Sequence, residues 1–102
     1  MSDALTEKIE KEIQSHKVVL FVKGTPQAPQ CGFSAATMDL FKQMKVPFHS
    51  VDVIANHEIR MKLPQISQWP TFPQIFINGK LVGGADIVRE MHESGELQKL
   101  LK

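Results

Sequence analysis

The sequence predicts an α/β fold, and three observations carry that prediction. Val18-Val19-Leu20-Phe21-Val22 is a β-branched and aromatic run of the kind that fills a buried strand. Apolar residues then recur at helical spacing before Phe48 to Val53, which reads as a second strand, so strand, helix and strand imply a right-handed crossover and a parallel pair. Later, Gln74-Ile75-Phe76-Ile77 and Lys80-Leu81-Val82 flank Asn78-Gly79, a dipeptide suited to a type I′ hairpin turn with positive φ at both central residues.

Each element has its own signal. Leu5, Ile9 and Ile13 recur every four residues among alternating charges, which predicts an amphipathic helix with a narrow apolar stripe. Phe33, Ala36, Thr37, Leu40, Phe41 and Met44 predict the helix after the first strand, and Lys45-Val46-Pro47 breaks it. Asn56 is placed to cap a helix running through Glu58, Ile59, Met61 and Leu63, and Pro64 either kinks that helix or begins a turn. Gly83-Gly84 leads to Asp86, an N-cap candidate for a helix through Ile87, Val88 and Met91. Gly95 stops that helix, and Leu97, Leu100 and Leu101 form a short last one.

A chain of 102 residues fits one domain, 1–102, without linker or repeat. Twelve Lys+Arg against eleven Asp+Glu leave a net charge of +1 and no basic stripe, so neither nucleic acid nor a membrane surface is suggested as partner. The longest unbroken apolar run is the five residues of the first strand, too short to span a membrane. Ser2-Asp3-Ala4 followed by alternating charges is not a signal peptide. The single cysteine excludes an internal disulfide framework and suits a reducing compartment. A cytoplasmic location is expected, or an organellar matrix if a transit segment has been removed. His16, His49, His57 and His92 are scattered without metal-ligand spacing and read as surface or boundary residues.

Cys31 lies where a loop becomes a helix. Unpaired N–H groups and the positive end of the helix dipole stabilise an anion there, which favours a thiolate able to act as nucleophile or metal ligand. The bland alternative is a small buried hydrophobe, but Gln30 and Gly32 flank it rather than apolar residues. Pro26 and Pro29 stiffen the preceding loop, and Gly32 allows close approach of backbone to a ligand. Lys23 is either a solvated strand-end lysine or a cation that favours the thiolate and pairs with a ligand carboxylate. Trp69 reads as packing, and Arg60 as a surface charge. Asp86 is either a plain cap or also a partner for a ligand ammonium.

Four segments in order carry a resemblance: Lys23-Gly24-Thr25-Pro26 with Cys31-Gly32-Phe33-Ser34, then Trp69-Pro70-Thr71-Phe72-Pro73-Gln74, then Asn78-Gly79, then Gly83-Gly84-Ala85-Asp86. Over essentially its whole length the chain resembles the monothiol glutaredoxins of the CGFS class. The resemblance implies a thioredoxin-like fold, a central four-stranded mixed sheet flanked by helices. It assigns Lys23 to glutathione binding and Arg60 to the glycine carboxylate of glutathione, and it implies a cis bond before Pro73. That bond would turn the Phe72 backbone outward to pair with an extended peptide. Gly83-Gly84-Ala85-Asp86 forms a second helix N-terminus, whose free N–H groups suit a carboxylate. Many relatives carry a cysteine where this chain has Ala85, so Cys31 remains the only redox-active group.

Phe33 and Ser34 stand where a dithiol oxidoreductase has its second cysteine, so no internal disulfide cycle exists. A 2Fe-2S cluster takes four thiolates and one chain offers a single one. With the glutathione groove the family implies, a cluster is expected only in a glutathione-dependent homodimer bridged by it, with Cys31 as metal ligand. The family's role is cluster transfer to apo iron-sulfur acceptors, iron homeostasis and cell redox homeostasis, often with BolA-like proteins. The alternative is a glutathione-dependent thiol-disulfide oxidoreductase with Cys31 as nucleophile, although CGFS relatives are generally poor in such assays. A third reading is an adaptor without chemistry.

Overall fold

The computed structural model describes residues 3–102. Asp3 starts the first helix, α1 (Ala4–Gln14), because its carboxylate accepts a hydrogen bond from the Thr6 N–H at 2.7 Å. Next come β1 (Val18–Val22), α2 (Gly32–Gln43), β2 (His49–Asp52) and α3 (His57–Ser67). The chain continues as β3 (Gln74–Ile77), β4 (Lys80–Gly83), α4 (Ala85–Ser94) and α5 (Glu96–Leu100). The strands form one four-stranded sheet in the order β2-β1-β3-β4. β1 runs parallel to β2 and antiparallel to β3, and β3 pairs antiparallel with β4, so the expected mixed sheet is present.

Every residue of β1 is buried, because helices cover both of its faces. Val19 and Phe21 point to the layer that contains Ile9 and Ile13 of α1 and Ile59 and Leu63 of α3. Val18, Leu20 and Val22 point to the opposite layer, with Met38 and Phe41 of α2, Val88 of α4 and Leu97 of α5. The continuous apolar run is thus a two-faced strand, as its lack of alternation implies. The β3–β4 turn has Asn78 at φ 54° and Gly79 at φ 78°, the geometry the dipeptide favours. Gly95, at φ 86°, ends α4.

Several local expectations are corrected. α3 continues through Pro64 to Ser67. The ring cannot donate to the Arg60 carbonyl, but Ile59 and Leu63 anchor the helix in the core on either side of that gap. Asn56 is the N-cap residue of α3, as expected, but its side chain makes no capping bond; its amide donates to the Asp52 carbonyl at 2.9 Å instead. Gly84, not Asp86, is the N-cap of α4, and Asp86 lies within the first turn. On α2 the apolar stripe is rotated from the expected one. Ser34, Thr37, Met38 and Phe41 face inward, while Ala36 is exposed and Phe33 is 63% exposed.

Candidate functional site

The loop between β1 and α2 is closed on itself. Gln30 N–H donates to the Lys23 carbonyl at 2.9 Å, Gly24 bridges to Pro29, and Thr25 and Ala28 exchange backbone hydrogen bonds. Gly24 sits at φ 96°, and a Cβ there would lie 2.6 Å from the Ala28 carbonyl oxygen and the Gln30 nitrogen. Glycine is required at that bend. One oxygen of Asp52, at the end of β2, accepts from both the Gly24 and Ile54 N–H groups at 2.9 Å. The turn that leads to Cys31 is thereby tied to the sheet.

Cys31 is the N-cap of α2, in extended conformation and partly exposed. Its side chain makes no capping hydrogen bond of ordinary geometry. The Ser34 N–H is nevertheless the main influence that lowers the thiol's pKa below the ordinary cysteine range. Burial opposes it, while the Phe33 N–H, the Ser34 hydroxyl and the positive charge of Lys23 reinforce it. Ser34 is 0% exposed, and its Oγ accepts from the Lys23 N–H at 3.0 Å. One serine therefore holds the end of β1 and the thiol turn together. Sequence reasoning treated Ser34 only as a missing cysteine; its i,i+3 position from Cys31 on a helix start was the signal available.

Cys31 opens onto a cleft of about 850 Å³. Lys23 from the end of β1 and Arg60 from α3 line it. Phe72 and Pro73 from the loop before β3 form part of its wall, and Ala85 and Asp86 from the first turn of α4 another part. The structure thus brings together residues that lie more than fifty positions apart in the sequence. The Phe72–Pro73 bond is cis. Among the described residues the Phe72 N–H and C=O make no hydrogen bond. Asp86 is exposed and approaches Arg89 at 3.5 Å, a weak surface pair. Phe33 and Met61, 63% and 59% exposed, add apolar surface to the same cleft. Trp69 lines it too, half-buried, so its packing role and its place in the site coincide.

The arrangement offers two cations, a backbone segment with free N–H and C=O groups, a helix N-terminus and one activated sulfur. That set suits a short anionic peptide with a thiol or disulfide. The histidines lie elsewhere: His49 pairs with Glu12 at 2.8 Å and stacks on His16 with ring centroids 4.5 Å apart. Among the described residues no group of three His, Cys, Asp or Glu side chains could hold a metal ion. Nor is any helix among them long and apolar enough to cross a membrane.

Comparison with known proteins is consistent with this geometry. The family model described as Glutaredoxin matches residues 18–82. The chain is 50% identical over 101 residues to monothiol glutaredoxin-S17 of Arabidopsis thaliana, covering 99% of this chain and 21% of that protein, so it spans about a fifth of that relative's length. It is 50% identical over 94 residues to probable monothiol glutaredoxin 2 of Rickettsia conorii, covering 92% of this chain and 88% of that one. Among solved structures, the buckwheat glutaredoxin–glutathione complex superposes with a TM-score of 0.83 at 28% identity, covering 93% of this chain and 84% of that one.

Proposed function

This chain belongs to the glutaredoxin family, in its monothiol branch, and from that premise we propose that it binds glutathione in the Cys31 cleft and carries a 2Fe-2S cluster between proteins. The observation that carries the reading is the lone, partly exposed Cys31, its thiolate favoured, at the mouth of a cleft that also holds Lys23 and Arg60. Lys23 and Arg60 suit a glutathione carboxylate, the free Phe72 backbone suits the peptide, and the first turn of α4 suits the second carboxylate. Asp86 is placed for the ligand ammonium. That the buckwheat relative forms a glutathione complex supports glutathione as the ligand.

The donor set fits the cluster as cargo in one way only. The chain supplies one thiolate, and no other group of ligating side chains converges among the described residues. A cluster that takes four thiolates then needs a second Cys31 and two glutathione sulfurs, hence a cluster-bridged homodimer. Cargo held partly by a diffusible ligand at an open surface is released readily. We place this carrier in the cytoplasm or another reducing compartment, feeding apo iron-sulfur acceptors, with a BolA-like protein as regulatory partner. The test is anaerobic reconstitution with iron and sulfide, with and without glutathione, followed by visible circular dichroism and gel filtration. A coloured dimer that requires both glutathione and Cys31 is expected. A colourless monomer, or an unchanged cluster in Cys31→Ser, refutes the reading.

The lowered Cys31 thiol also favours a second reading, reduction of protein–glutathione mixed disulfides. The Cys31 thiolate would attack the glutathione sulfur and release the protein thiol. A second glutathione thiolate would then attack the Cys31–glutathione disulfide, regenerating Cys31 and forming oxidised glutathione. Steady-state turnover on a glutathionylated protein separates this enzyme from the carrier.

A further inference from the structure

We propose that Gln74 is a positioning residue that sets the ligand affinity of the cleft by clamping the loop 69–73. Gln74 opens β3 and is 0% exposed. Its Nε2 donates to the Trp69 carbonyl at 2.8 Å, spanning the base of that loop. A carbonyl only accepts, so the amide orientation is fixed, and Oε1 is left buried without a partner among the described residues. Trp69 Nε1 is likewise buried and unpartnered. Buried orphans of this kind are costly, and an apolar side chain of the same length would avoid one of them.

What the amide achieves is local. The loop it closes contributes Trp69, Phe72 and Pro73 to the cleft, while Gln74 itself does not line it. The loop also lies close to the opposite wall: a Cβ on Gly84, the N-cap of α4, would stand 3.4 Å from both Trp69 Nε1 and the Pro73 carbonyl oxygen. Holding residue 69 against residue 74 therefore fixes the free Phe72 backbone relative to the first turn of α4. A ligand that bridges these two elements binds a preformed site, and loss of the clamp makes binding bear the cost of ordering the loop.

The inference rests on the glutathione reading, and the experiment separates the two. Gln74→Met keeps length and volume but removes the donor. Glutathione affinity is measured by calorimetry on wild type and on Gln74→Met. Leu97→Ala, a core variant in the opposite layer, serves as a control for general destabilisation. Trp69, the single tryptophan, provides fluorescence. Expected is a Kd about tenfold higher for Gln74→Met, unchanged for Leu97→Ala, with shifted Trp69 emission in Gln74→Met before ligand is added. Equal Kd values for wild type and Gln74→Met overturn the clamp. If wild type itself binds no glutathione, the proposed function fails. The clamp is then decided by the ligand-free spectra, identical Trp69 emission overturning it. Should Gln74→Met not fold, hydrogen exchange on the wild-type chain decides. Slow exchange of the Gln74 side-chain amide, slower still with glutathione, supports the clamp, and rapid exchange refutes it.

Discussion

Ser34→Ala is the sharpest probe of the thiol turn, because it removes one oxygen and little volume. That oxygen accepts the Lys23 N–H at 3.0 Å in a position with no solvent exposure. Alanine leaves the N–H without its partner, and an orphaned buried donor costs about 1–3 kcal/mol. In a domain of this size each kcal/mol lowers the thermal midpoint by roughly 4–8 °C. A second, independent effect falls on Cys31. The Ser34 N–H, the largest cause of the lowered thiol, belongs to the backbone and survives, whereas the hydroxyl contribution is lost. The Cys31 pKa should therefore rise while staying below the ordinary cysteine range. Thermal unfolding reads the first effect, and the pH dependence of iodoacetamide alkylation reads the second. Reactivity requires the thiolate, so it is present above the thiol pKa and lost below it, and the midpoint should move to higher pH in the variant. Lower stability with an unmoved alkylation midpoint would refute the thiol half of the argument. Unchanged stability would refute the Lys23 half.

Two further perturbations address the elements that support the site. Gly24→Ala forces a Cβ against backbone atoms at 2.6 Å and a side chain into φ 96°, so it should cost more than the roughly 1–2 kcal/mol of left-handed strain alone and should speed hydrogen exchange at the Gln30 amide. Unaltered Gln30 protection would count against the closed loop. Acid should act on α1 through Asp3, whose pKa is lowered from 3.8 to about 2, mainly by the hydrogen bond to the Thr6 N–H. The folded value lies below the unfolded one, so this stabilisation is complete above pH 3.8 and fades as pH falls toward about 2. Asp3→Asn should flatten that part of the acid unfolding profile, and an identical profile would deny Asp3 the role.

Legibility in the sequence followed the range of the interaction. β1 and the Asn78-Gly79 turn were readable because an unbroken apolar run and a positive-φ dipeptide are local demands. The α3 cap falls where the sequence puts it but its side chain is taken elsewhere, and the α4 cap falls before the expected residue. Asn56 is engaged by Asp52, and the backbone turns into α4 at Gly84, two residues earlier than an Asp86 cap would require. Pro64 reads as a kink or the start of a turn because propensity counts one lost hydrogen bond, whereas Ile59 and Leu63 in the core carry the helix past it. Cys31 is legible from its place at a helix start, whereas the roles of the other candidate site residues are visible only through motifs. Ser34 and Gln74 lie inside those motifs and Asp52 outside them, but what each does for the site comes from contacts across the fold.

The alternation of β1 between two apolar layers has a consequence for how this chain tolerates change in length. Shifting β1 by one position would send Val19 and Phe21 to the layer of α2 and send Val18, Leu20 and Val22 to that of α1 and α3, scrambling both at once. Insertions and deletions must then be absorbed outside the strand. The segment between Gly24 and Gln30, where Thr25 and Ala28 pair with each other, is the first place after β1 where the chain can lengthen or shorten without re-registering the sheet. The same architecture thus keeps its interior fixed while the approach to Cys31 stays free to diversify.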